Sequence, residues 1–289
     1  MHRPAIVLAL FLSLAASLCP AQADDKTKEL ETYLAGVTER GRALYAYDQA
    51  AWHGSDALMS LHPETKGLTR YVCRKTPGGW VVSVGKWNEA HDKFQVLYEA
   101  MESLKTGKFG AHKLDPPLNA QPELTGMERA QELAIQDFVG EKRPYNVAIL
   151  PAPHGNLYVY IYPGQTKEAV WPLGGDVRYL MSADGTKIIE KRKLHKSILD
   201  LEFRPEKHPG AGMHMHQITD VPEDTDVLYV LTRQPSIPES IIVSPTRMFI
   251  VGADGVIEFR NPCANNHDPD SPCNLKPEAP ASDGQKTQP

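Results

Sequence analysis

The chain has 289 residues, 41% of them hydrophobic and 8% aromatic, with 31 Lys and Arg against 36 Asp and Glu and a formal charge of −5 at pH 7. That content belongs to a folded globular body and excludes a disordered chain; the excess of acid argues against nucleic acid or an anionic membrane as the main partner. A chain of this length can bury a sizeable core without covalent staples.

The first 23 residues read as a leader. Met1-His2-Arg3 is a short basic start, Ala5 to Leu18 an apolar run and Ala21-Gln22-Ala23 a small-residue cleavage signal. The mature chain is therefore expected to begin at Asp24 and to work outside the cytoplasm, periplasmic or secreted. Cys19, at the end of the apolar run, marks a competing reading as a lipid-anchored protein, although Leu18 before it is bulkier than such sites usually carry. No later segment approaches the roughly 20 apolar residues of a transmembrane helix.

From Asp25 to about Leu61 the apolar residues Leu30, Tyr33, Leu34, Val37, Leu44 and Tyr47 recur at helical spacing, with Gly41 as a weak point that allows two helices or a bend. Trp52, His53, Ser55 and Asp56 sit close together there, but neighbours in sequence do not make a catalytic triad; Trp52 is expected to pack and Ser55 or Asp56 to cap a turn. Thr69 to Cys73 and Trp80 to Val84 read as a strand pair around Pro77-Gly78-Gly79. Phe94, Leu97, Tyr98, Met101 and Leu104 then fit a helix stopped by Gly107, and the Pro- and Lys-rich stretch 108–124 fits a linker. Thr125 and Glu128 have capping-box spacing for a helix reaching Val139.

The second half is mostly strand. Asn146 to Leu150 pairs with Leu157 to Tyr162, and Val177 to Ala183 pairs with Lys187 to Leu194 through Asp184-Gly185, which suits a type I′ turn. An Ala-Asp-Gly turn at 253–255 joins Met248 to Val251 with Val256 to Phe259, and Asp226 to Thr232 and Ser240 to Val243 are further strand candidates. Three cysteines follow the leader. Cys263 and Cys273 enclose a turn-rich loop and are expected to form a disulfide, which leaves Cys73 as a buried small hydrophobe. The expected fold is α+β, a helical amino-terminal part followed by a mainly antiparallel sheet of some six to eight strands. It divides into 24–124, an α+β part, and 125–275, a helix plus sheet; the two form one continuous domain or two, and a disordered tail covers 276–289.

HExxH, GxxxxGK[ST], GxGxxG and GxSxG are all absent, which removes the commonest zincin, nucleotide-binding and hydrolase signatures. The stretch Gly210 to Val227, GAGMHMHQITDVPEDTDV, carries the most chemistry. If Met213 to Ile218 is extended, His214 and His216 share one face, with Cα atoms about 7 Å apart, close enough for both rings to reach one ion. Asp220, Glu223, Asp224 or Asp226 can supply a third ligand, and zinc suits an imidazole and carboxylate set. The plain alternative is a solvated strand face followed by a polar turn. Tyr158, Tyr160 and Tyr162 on one strand face, with Trp171 beyond, fit either a ligand surface or a buried sheet side, and Lys191, Arg192, Lys193, His195 and Lys196 fit a solvated basic strand.

Around these residues the chain resembles the JAB/JAMM metallopeptidases, which bind zinc through His-x-His and a downstream Asp, activate water with an upstream Glu and hold the oxyanion with a Ser. The resemblance implies His214, His216 and Asp226 as zinc ligands and Glu190 as the catalytic base. Asp226 stands one residue nearer to His216 than in that family, Glu223 or Asp224 occupies the place of the Ser, and Gln217 replaces the common Pro. The expectation is thus an exported soluble protein with a divalent-metal site at His-x-His, with a JAB/JAMM-like zinc hydrolase and a non-catalytic envelope ligand-binding module as alternatives.

Overall fold

In the computed structural model, residues 20–202, 210–244 and 247–260 are described. Residues 1–19 of the leader, the Cys263 to Cys273 pairing and the tail lie outside them. The fold is α+β: an amino-terminal helix is followed by sheets in which every pairing but one is antiparallel.

Helix α1 runs unbroken over Pro20–Met59, without the break that Gly41 allowed. Strands β1 (Val72–Thr76), β2 (Gly79–Trp87), β3 (Phe94–Glu102) and β4 (Phe109–Asn119) form one antiparallel sheet in that order. Two expectations fall here. Phe94 to Leu104 is a strand, not a helix: Phe94, Val96, Tyr98 and Ala100 point inward in strict alternation, while Met101 and Leu104 are exposed. The supposed linker 108–124 holds β4, whose prolines are tolerated because it lies at the edge of the sheet and bulges against β3 between Lys113 and Leu118.

Helix α2 (Pro122–Asp137) starts earlier than the capping box implied, with Pro122 in its first turn, so Thr125 and Glu128 lie inside it. Strands β5 (Tyr145–Pro151), β6 (Leu157–Pro163), β8 (Val177–Met181) and β9 (Ile188–Lys193) make a second antiparallel sheet that holds both expected hairpins. The β8–β9 turn is not type I′, since Gly185 is positive in φ and Asp184 is not; Gly185 N–H closes back on Ser182 O. The loop at 252–255 uses the same turn, ending in Gly255. β7 (Val170–Gly174) pairs with β10 (Ile198–Glu202). The last sheet has the order β11 (Gly212–Met215), β12 (Ser240–Val243), β13 (Met248–Val251), β14 (Ile257–Arg260), with β11 parallel to β12. The strands thus fall into four sheets rather than one.

Asp224–Thr232 is a helix, α3, where Asp226 to Thr232 had the look of a strand. Seven consecutive residues from Asp224 to Val230 are buried, so the segment shows no polar face to betray its helical period.

One apolar cluster joins Leu44, Tyr47 and Leu58 of α1 with Phe94, Val147, Tyr160 and Tyr179; a second joins Leu34 and Val37 with Val227, Val230, Phe249 and Val251. Each fully buried side chain of this size stabilises the fold by about 1.5–3 kcal/mol. α1 is therefore the spine of both clusters. Gly41 is where α3 crosses it: a Cβ there would stand 2.4 Å from Val227 Cβ and 2.7 Å from Asp224 O. Cys73 is buried and its thiol is pushed far up by burial, as a structural cysteine's should be. No helix among the described residues is long and apolar enough to cross a membrane.

Candidate metal centre

β11 does what the alternation of Gly210 to Val227 requires. His214 and His216 are 6% and 5% exposed, whereas Met213 and Met215 are 69% and 68% exposed. Both imidazoles therefore enter the protein on one face. They meet Asp226, which α3 delivers from its first turn, and a residue the sequence reading left on a solvated strand, His195.

The four side chains converge. His214 Nε2 lies 2.9 Å from Asp226 Oδ1, His195 Nε2 lies 3.2 Å from the same oxygen, and His216 Nε2 lies 3.2 Å from Oδ2. His195 Nε2 and His216 Nε2 are 3.1 Å apart, and one ligand atom from each of the four residues lies within 4.8 Å of all the others. Two ligands at about 2.05 Å from a tetrahedral zinc stand roughly 3.3 Å apart, close to the 2.9–3.2 Å contacts here, and the wider pairs of the set must draw in for all four to hold one ion.

The outer contacts decide which ring nitrogens carry protons. His216 Nδ1 donates to the backbone carbonyl of Val221 at 2.9 Å, and His195 Nδ1 donates to Asp176 Oδ1 at 2.8 Å. With their Nδ1 atoms committed as donors, both neutral imidazoles turn lone pairs inward, toward each other and toward a carboxylate. Such an array repels itself unless a cation stands in the middle. Ligating histidines are held in this same way, by a carbonyl or carboxylate behind the ring. Without a metal a proton must do that work: burial disfavours charge on His195, but Asp176 and Asp226 outweigh it and hold its pKa well above the ordinary value. Burial likewise opposes the charge on Asp226, yet the charge on His195 and the close approach of the three rings keep it well below the usual carboxylate range.

The chain around Asp226 is fixed from several sides. Glu223 N–H donates to Asp226 Oδ2 at 2.7 Å and the Glu223 side chain accepts from the helix in return, a reciprocal cap on α3 that places the Asp226 anion at the positive end of the helix. Asp224, fully buried, accepts from Arg40, Arg178 and Tyr160, which tie α3 to α1, β8 and β6. Burial pushes the Glu223 carboxyl up to about 7 against the attraction of Arg192. Its oxygens are engaged by Arg192 and by the helix start, so it acts as a cap. Gly174 and Gly175, both positive in φ, let the chain carrying His195 come close: a Cβ on Gly174 would lie 2.4 Å from Ser197 O and one on Gly175 2.2 Å from Ile198 Cγ1.

Of the residues singled out in the sequence, His214, His216 and Asp226 come together. Glu190 does not join them; it is exposed on β9, opposite Leu180 of β8, and Asp220 is exposed as well. The sequence reading missed His195 and Asp176. Leu194-His195, past the end of β9 and both buried, is the break in the basic run that could have drawn notice. Lys191 and Arg192 of that run are not free solvent charges, being bonded to Asp137 and Glu223. Of the tyrosine row, Tyr160 and Tyr162 are buried and bonded to Asp224 and Asp48, while Tyr158 is half-buried beneath Arg178. Trp52 is 58% exposed and stacks on His53 instead of packing inward.

Comparison with known proteins returns nothing: no family model, no curated protein and no solved structure matches this chain.

Proposed function

We propose that this is an exported protein that holds one divalent transition metal, zinc by the chemistry of its donors, at His195, His214, His216 and Asp226. The observation that carries the reading is the inward turn of lone pairs: His195 and His216 each give Nδ1–H to a fixed acceptor while their Nε2 atoms stand 3.1 Å apart. Three nitrogens and one carboxylate oxygen complete a four-coordinate set, which supports a structural ion that clamps β11, α3 and the chain between β9 and β10 together. A JAB/JAMM-like hydrolase needs a ligand position left to water and a base beside it; His195 taking the fourth corner and Glu190 lying in solvent count against that chemistry.

The test is elemental analysis of the mature protein purified from the exported fraction. About one zinc per chain is expected, and a His214→Ala, His216→Ala double variant should lose it. Protein that takes up no transition metal at saturating supply would sink the proposal. Metal-dependent cleavage of peptide substrates would move it to the hydrolase reading.

A further inference from the structure

A cavity of about 700 Å³ opens between the carboxyl-terminal half of α1, strands β5 to β7 and the buried helix α3. Its size is that of a small-molecule site, roughly 300–1,000 Å³. Asp176 lines it, so it shares a wall with the metal centre while taking in none of the four ligands.

Three lining residues, each more than nine-tenths buried, carry a polar atom with no partner: Asp176 Oδ2, Thr225 Oγ1 and Tyr229 Oη. These atoms are covered by the protein in the free state, so a ligand hydroxyl reaches them only after a small shift of the lining; because buried polar atoms are nearly always hydrogen-bonded, they are the groups with most to gain from such a partner. The remaining lining narrows its chemistry. The aromatic side chains of Tyr45, Trp52, Tyr71 and Trp171 line the cavity, Trp52 already stacked on His53, and the carboxamides of Gln49, Asn146, Gln165 and Gln234 offer donors and acceptors together. Among the described residues no Lys, Arg or His lines the cavity, which disfavours an anion. Its two carboxylates are already answered, Asp176 by His195 and Asp48 by the Tyr162 hydroxyl at 2.8 Å, so no unmet negative charge calls for a cation either.

We propose that this cavity binds a neutral polyhydroxylated molecule of mono- or disaccharide size, its ring faces on the aromatic side chains and its hydroxyls on the amides and the three unpaired atoms. The assignment stands independently of the metal, since none of its evidence requires an ion.

The test titrates the full mature protein with glucose, galactose, maltose and cellobiose, and with glucosamine and glucose 6-phosphate as charged counterparts, followed by tryptophan fluorescence and calorimetry. At least one neutral sugar should bind saturably, at least tenfold tighter than its charged counterparts. Trp52→Ala, at an exposed position, should weaken that binding at least tenfold. Tyr229→Phe removes a hydroxyl that makes no hydrogen bond in the free protein; it should lower affinity severalfold with the melting temperature unchanged or raised. No saturable binding of any neutral sugar up to tens of millimolar would overturn the proposal. So would tighter binding of glucosamine or the phosphate, or affinity untouched by both substitutions. Water alone in the cavity belongs to the first of these outcomes.

Discussion

Asp176 never touches the centre of the cluster, yet it sets the orientation of His195 and with it the direction of one lone pair. Such outer contacts are worth 10- to 100-fold in metal affinity. Asp176→Ala should therefore weaken zinc binding by about that factor, read by competition with a chromophoric chelator; unchanged affinity would show that His195 is held by other means. A second residue makes a pH prediction far from the cluster. Glu128 is buried on α2, where the Gln131 amide donates to it, and burial pushes its pKa from 4.5 to about 7. The folded state thus holds this proton more tightly than the unfolded one. The associated stability is complete below pH 4.5 and is lost as pH climbs through about 7, a difference of up to roughly 3 kcal/mol at 1.36 kcal/mol per pH unit. Glu128→Gln stays neutral throughout, so in urea unfolding it should gain on the parent between pH 5 and pH 8. Parallel pH profiles for the two proteins would refute this.

At the level of elements, the crossing of α1 and α3 at Gly41 is a tight requirement near the site. A methyl group there meets Val227 Cβ at 2.4 Å, so Gly41→Ala should cost about 1–3 kcal/mol by overpacking even though alanine favours the helix itself by about 1 kcal/mol. Because Asp226 rides on the same turn of α3, zinc affinity should fall with it; a variant as stable and as metal-avid as the parent would mean that α3 moves aside at no cost. This crossing also shows where sequence reasoning reaches its limit. Gly41 looked like a weak point in a helix because its partner lies 186 residues away in the chain. The shared face of His214 and His216 was legible because a period of two is local. α3 was not, since a helix buried on every side has no stripe, although Glu223, Asp224 and Asp226 crowding its first turn is the acidic signature of a helix start. Phe94, Val96, Tyr98 and Ala100 alternate, but Leu97, Met101 and Leu104 between and beyond them mimic a helical period, and β3 was lost to that coincidence.

For the molecule as a whole, the proposed ion joins α3, which packs in the smaller apolar cluster, and β11, which pairs with β12, to the chain just beyond β9. Stripping it with a chelator should lower the melting temperature, and at free metal a thousandfold above the dissociation constant the ion is worth about 4 kcal/mol. Hydrogen exchange should show the loss concentrated in α3 and β11 to β14, with β1 to β3 little changed; uniform loss of protection would argue that the clusters open together. The span of α1 has an outcome of its own. Its 40 residues measure about 60 Å, and the two halves answer to different parts of the chain. As the polypeptide emerges amino-terminus first, Leu44 to Leu58 can dock once the first strands follow, whereas Leu34 and Val37 must wait for Val227 to Ile257. The half of the helix that is made first is the half that finds its place last.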